Sequence, residues 1–145
     1  MIEFIKQGQM FIIPLAVLII TQFIKIFISI IKHRKITWKS FFYYGSFPSS
    51  HSALFVSLAT IVWLNEGYNS AVFAIALIMA IIFIRDAMGL RAIMSREGKL
   101  LNKLNFLTKG ELMPERVGHT PLEVFVGGVI GFSATVACYF LLLGV

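Results

Sequence analysis

From Met10 to Ile31 the chain is almost uninterrupted in apolar residues. As a helix that stretch is about 33 Å long, enough to cross the hydrocarbon of a bilayer. Only a helix satisfies its own backbone N–H and C=O groups in that medium, so this run decides the class of everything after it. The expected fold is all-α, an integral membrane bundle. Composition agrees: 58% of the 145 residues are hydrophobic, against roughly 45–50% in soluble domains. The length allows one domain, residues 1–145, with the bilayer standing in for much of a core. The run is too long for the core of a cleavable signal peptide and has no small-residue cleavage site. Cys138 is the one cysteine, which excludes an intramolecular disulfide.

Further runs complete the bundle. Residues 1–9 read as a short polar lead, and Pro14 falls near the start of the first span. Ser49 to Leu64 makes a second span of only about 24 Å, short enough to need tilting or bilayer thinning. A turn over Asn65 to Asn69 leads to a third span, Ser70 to Ile84, and Leu122 to Val145 forms the last. Ile93, Leu100, Leu101, Leu104 and Leu107 recur at helical spacing with Arg96, Lys99 and Lys103 between them, which predicts an amphipathic helix at the interface. The expectation is thus about four transmembrane helices and one interfacial amphipathic helix. Gly127, Gly128 and Gly131 give the last span a small-residue face for close packing, either within the bundle or as a homodimer contact through Gly127 and Gly131.

Charge orients the bundle. The net charge is +6, and the basic residues cluster between spans, which points to anionic headgroups or phosphates rather than nucleic acid. Lys32, His33, Arg34, Lys35 and Lys39 form a basic loop that marks the cytoplasmic side, and the 85–120 segment falls on the same side; the 65–70 turn carries no positive charge. Gln22, Lys25 and Arg34, the Ser49–Ser52 stretch, Asp86 with Arg91, and Arg116 with His119 should then meet at one membrane face. Pro48-Ser49-Ser50-His51-Ser52 reads as a helix start with a titratable ring in its first turn. Two helix N-termini, two histidines and several cations suit a phosphate at headgroup depth. Asp86 also reads as a structural partner for Arg85 or Arg91. Thr120, Pro121 and Glu123 fit a capping box, yet Glu123 also stands four residues after His119, within reach of its ring. Both roles stay open at this point.

Pro48-Ser49-Ser50-His51-Ser52 resembles the second signature of the type 2 phosphatidic acid phosphatase (PAP2) superfamily, usually Pro-Ser-Gly-His. Gly118-His119-Thr120-Pro121-Leu122-Glu123-Val124 resembles the core of its third signature. With Asp86 to Arg91 and Leu101-Asn102, essentially the whole chain is similar to the small divergent branch of that superfamily, related to acid phosphatases and vanadium haloperoxidases. The resemblance implies a hydrolase of a lipid phosphate, phosphatidate-type or polyprenyl phosphate or diphosphate, that uses no metal or other cofactor. It implies His119 as the nucleophile, Glu123 as its orienter and His51 as general acid. Lys25, Arg34, Ser49, Ser50, Arg91 and Arg116 are implied phosphate ligands, with Asp86, Gln22 and Ser52 in support. The expected setting is a bacterial plasma membrane, with the site on its cytoplasmic face.

The pattern departs from the superfamily in places. Ser50 stands where glycine is usual, and Glu123 where aspartate is. The first signature is absent in its usual form, with Lys25 and Arg34 its nearest counterparts. Met113 occupies the place of the third-signature arginine, leaving Arg116 or Arg91 to substitute. The alternative reading is a non-catalytic protein that binds anionic lipid or acts as a scaffold, which needs the cations and caps but not two histidines. Haloperoxidase chemistry is a weaker third reading, since a four-span hydrophobic protein is a poor setting for it.

Overall fold

The computed structural model describes residues 2–31, 47–108, 113 and 117–143. Five helices follow one another there: α1 Ile2–Ile31, α2 Ser50–Glu66, α3 Ala71–Met88, α4 Leu90–Thr108 and α5 Pro121–Leu143. Local chemistry sets their ends. Ser49 caps α2 by accepting from the Ser52 N–H at 3.4 Å, and Gly67, at φ +79°, closes it in a left-handed conformation that favours glycine. Ser70 caps α3 by accepting from the Phe73 N–H at 3.0 Å. Gly89 separates α3 from α4, its N–H donating to Arg85 O at 2.8 Å.

The first helix corrects an expectation. α1 begins at Ile2, so most of the polar lead is helical and Pro14 lies well inside the helix rather than near its start. Proline removes one donor and crowds the preceding turn. In hydrocarbon, however, the flanking residues have no alternative to helical pairing.

α2 sits at the centre, packed against α1, α3 and α5. Its buried face is made of small residues, among them Ser52, Ala53, Ser57, Ala59 and Thr60. Two hydrogen bonds fix its register against α1: Lys25 Nζ donates to Ser50 Oγ at 2.9 Å, and Gln9 Nε2 to Asn65 Oδ1 at 2.6 Å. Gln9 to Lys25 and Ser50 to Asn65 each span about 23 Å along a helix, so the pair is antiparallel with matched ends. Against α5 the order is parallel: Ser49 N donates to Glu123 O at 3.0 Å, Ser57 Oγ and Thr135 Oγ1 share a buried bond of 2.6 Å, and Tyr139 Oη donates to Leu64 O at 3.4 Å. Phe55 stacks on Phe83 of α3 at 3.9 Å between centroids.

Gly127 and Gly131 explain how α5 comes so close. A Cβ on Gly127 would strike Ser49 O, and one on Gly131 would strike Ala53 O. The small-residue face at Gly127 and Gly131 is therefore used within the bundle, against α2 of the same chain, the first of the two expected uses.

Among the described residues three stretches are long and apolar enough to cross a membrane: Gly8–Ile31, Pro121–Leu141, and the run from Ala71 through to Leu104. α2, with 17 residues, is not among them, although it was expected as a fourth. Its serines and threonines are sheltered by three neighbours, so it has less need of apolar side chains than a lipid-facing helix.

Candidate active site

This topology brings the C-terminal ends of α1 and α3 to the N-terminal ends of α2 and α5. Along α1, Lys25 does not snorkel outward but reaches Ser50 in the first turn of α2. Ser49, Ser50 and Ser52 are almost fully buried; Ser52 Oγ donates to Ser49 Oγ at 2.9 Å. Backbone bonds lock the junctions. Ser49 N holds Glu123 O, and His119 N donates to Ala87 O at the end of α3 at 3.0 Å. His119 is thereby fixed between α3 and α5, and His51 projects from α2 beside it.

The ring nitrogens have an unusual status. His119 is buried, and among the described residues neither its Nδ1 nor its Nε2 has a hydrogen-bond partner; the buried Nδ1 of half-buried His51 also has none there. Buried polar atoms are ordinarily satisfied, so three such atoms on two neighbouring histidines mark a place built for something other than stability. The charges acting on His119 are Lys25, Glu123, His51 and Arg91, and those acting on His51 are Arg91, Lys25 and Asp86. Burial first, and then the Lys25 ammonium, push the His119 imidazole down from 6.5 to about 4. It is consequently neutral near pH 7, with a lone pair to offer.

Glu123 answers the question its position left open. Its Oε2 accepts from the Thr120 N–H at 2.9 Å while Thr120 Oγ1 accepts from the Glu123 N–H at 3.3 Å. That is the capping box, and no hydrogen bond joins the carboxylate to His119. The Glu123 charge acts on the imidazole, while the orienting hydrogen bond implied by the resemblance is not formed in this structure. Asp86 pairs with Arg91, Oδ2 accepting from Nε at 3.1 Å, which holds the guanidinium at the same bundle end. Gln22 lies half-buried on α1 one turn before Lys25 and makes no hydrogen bond among the described residues. Arg34 and Arg116 lie outside the described residues, as does the rest of the basic loop. Among the described residues, no three His, Cys, Asp or Glu side chains are grouped to hold a metal ion.

Two further residues support this site: Ser95, which the sequence reading passed over, and Asn102, which it quoted only as part of the resemblance and gave no role. Ser95 on α4 accepts from the Val117 and Gly118 N–H groups at 2.9 and 3.2 Å and donates to Arg91 O at 2.9 Å. Asn102 pairs with both backbone groups of Met113, its Nδ2 donating to O at 2.9 Å and its Oδ1 accepting from N at 2.7 Å. Gly118 has no room for a side chain, because a Cβ would lie 2.9 Å from Ala92 N. The available signal was the spacing of Arg91, Ser95 and Asn102, which share a helix face separate from that of Arg96, Lys99 and Lys103.

The profile of a family described as the divergent PAP2 family matches residues 6–134. The chain is 36% identical over 144 residues to the uncharacterized membrane protein YuiD of Bacillus subtilis (strain 168), an alignment covering 87% of this chain and 91% of that one. No solved structure matches.

Proposed function

The chain belongs to the divergent PAP2 family, and from that premise we propose that it is a phosphatase of lipid phosphates working through a phosphohistidine. The observation that carries the reading is the pair of histidines with buried, unbonded ring nitrogens beside Lys25 and Arg91. An anion site alone would need the cations; a neutral imidazole held among them has a further use as a nucleophile.

In the proposed reaction a ring nitrogen of neutral His119 attacks phosphorus. The bond from phosphorus to the lipid oxygen breaks, and that oxygen takes a proton from His51. Water then attacks the phosphohistidine, giving its proton back to His51, and inorganic phosphate leaves as the His119 lone pair returns. Lys25, Arg91 and the Ser50 hydroxyl offset charge on the phosphoryl oxygens, with Arg34 and Arg116 as further candidates. Glu123 stabilises the imidazolium through its charge. An apolar surround at headgroup depth favours a phosphatidate-type or polyprenyl substrate over soluble esters. We take α2 as a fourth crossing, with the site at the cytoplasmic face of a bacterial membrane.

The test is purified protein in detergent with a panel of lipid phosphates, reading released phosphate. His119→Ala should abolish turnover and leave lipid binding intact. Equal turnover in that variant refutes the nucleophile, and binding without turnover by the parent protein leaves the anionic-lipid binder as the function.

A further inference from the structure

α4 carries three distinct faces, and among the described residues the fold uses only one of them. Successive residues turn by about 100°, which puts Arg91, Ser95 and Asn102 on one arc. All three are engaged with Asp86, with the backbone of Val117 and Gly118, and with Met113. A second arc holds Arg96, Lys99 and Lys103, all exposed. On the third, Ile93, Met94, Leu100, Leu101 and Leu104 are each about half exposed or more. Among the described residues α4 packs on α3 and on no other helix.

Length and charge identify what covers the two remaining arcs. A straight run from Ala71 to Leu104 would extend about 51 Å, well beyond the roughly 30 Å of hydrocarbon. α3 alone, at about 27 Å, already fills that thickness. With five charged residues of its own, α4 belongs outside the hydrocarbon. An apolar arc bordered by cations is complementary to an anionic headgroup layer. Glu97 falls within the apolar arc, and a carboxylate there limits the seat to the shallow interface, where it stays hydrated.

We propose that α4 lies in the headgroup layer of an anionic bilayer and acts as a splint for the segment leading to His119. Met113, Val117 with Gly118, and His119 meet Asn102, Ser95 and Ala87 in turn, so these described positions step back along α4 to the end of α3. A helix packed only on α3 gains a second restraint from lipid, and Ser95 and Asn102 pass that restraint to the backbone beside His119. Ser95 and Asn102 are positioning residues. Only the consequence for turnover rests on the phosphatase reading; the seating and the splint do not.

The experiment places a nitroxide on Leu101→Cys or Lys99→Cys in the full chain carrying Cys138→Ala, in nanodiscs of phosphatidylcholine with or without phosphatidylglycerol. Collision with oxygen and with a water-soluble nickel complex reads depth. Hydrogen exchange at Val117 and Gly118 reads the splint. With anionic lipid present, the Leu101 label should favour oxygen, the Lys99 label should favour nickel, and exchange at the two amides should slow by about tenfold. Replacing Arg96, Lys99 and Lys103 together by glutamine should remove the lipid dependence of the exchange, and Ser95→Ala should speed exchange without changing label depth. A Leu101 label open to nickel in both discs, or shielded by spin–spin contact with a second copy, overturns the seating. Exchange unchanged by Ser95→Ala overturns the splint. A seated helix in a protein that releases no phosphate would refute the phosphatase and leave this proposal standing.

Discussion

At the scale of single residues, the consequence nearest to hand is the state of His119. An exposed histidine is largely protonated at pH 5.5; this one is held near 4 by burial and by Lys25. In the proposed reaction the neutral ring is the attacking form, so it persists as the pH falls through the range where an ordinary histidine is lost. Nitrogen-15 spectra of histidine-labelled protein should show a ring still neutral at pH 5.5, and His119→Asn should remove that signal. Stability follows the same sign. The unfolded chain binds a proton on this ring near 6.5 and the folded one only near 4, so the fold weakens as the pH drops between those values. A second expectation separates the histidines. His51→Ala should slow a lipid monoester far more than p-nitrophenyl phosphate, whose leaving group scarcely needs a proton, whereas His119→Ala should slow both alike and prevent phosphoenzyme trapping. Equal loss on the two substrates in His51→Ala removes the general-acid role. The histidines and both helix starts were legible because capping chemistry is local, written within three or four residues. Ser95 was not, because its partners are backbone groups 22 and 23 residues away.

Elements carry the next set of consequences. α5 meets α2 backbone to backbone, and two glycines one turn apart make that possible. Gly131→Ala should cost about 1–3 kcal/mol through overpacking, read as a lower midpoint of thermal unfolding in detergent. Gly128→Ala is the control: its Cβ would meet Val56 Cγ2 at 3.6 Å, an ordinary contact, so the midpoint should scarcely move. A Gly131→Ala protein as stable as its parent would mean that α2 and α5 stand further apart. Sequence periodicity and the helix start at Ser49 located the helices, but α1 begins eight residues before the expected Met10 and α3 runs on to Met88, where Gly89 breaks it. Periodicity did not reveal that the least apolar of α1, α2, α3 and α5 is the central one. Burial by neighbouring helices and burial by lipid leave the same hydrophobic mark on a sequence, and only tertiary packing separates them.

For the whole molecule the open quantity is direction. The 32–39 loop and the α4 region carry the basic residues while the 65–70 turn carries none, which is the support for the proposed cytoplasmic placement of the site end. Phosphate ligands are themselves basic, so charge counting and site placement are not independent. Single cysteines at Lys35 and Asn69, in protein lacking Cys138, separate them. An impermeant reagent added to intact cells should reach the second and not the first. Labelling of the Lys35 position from outside reverses the orientation.

The enclosure of α2 also governs how the molecule is made. A segment lined with Ser50, Ser52, Ser57 and Thr60 is a poor candidate to leave a translocation channel for lipid alone. Its shelter comes from α1, made before it, and from α3 and α5, made after it. During synthesis, therefore, α2 has one wall when it emerges, gains a second with α3, and lacks the third until the ribosome has passed Leu143. The N-terminal half should depend on insertion machinery that holds polar helices back from lipid, and chains halted at Glu66 should be degraded rather than accumulate.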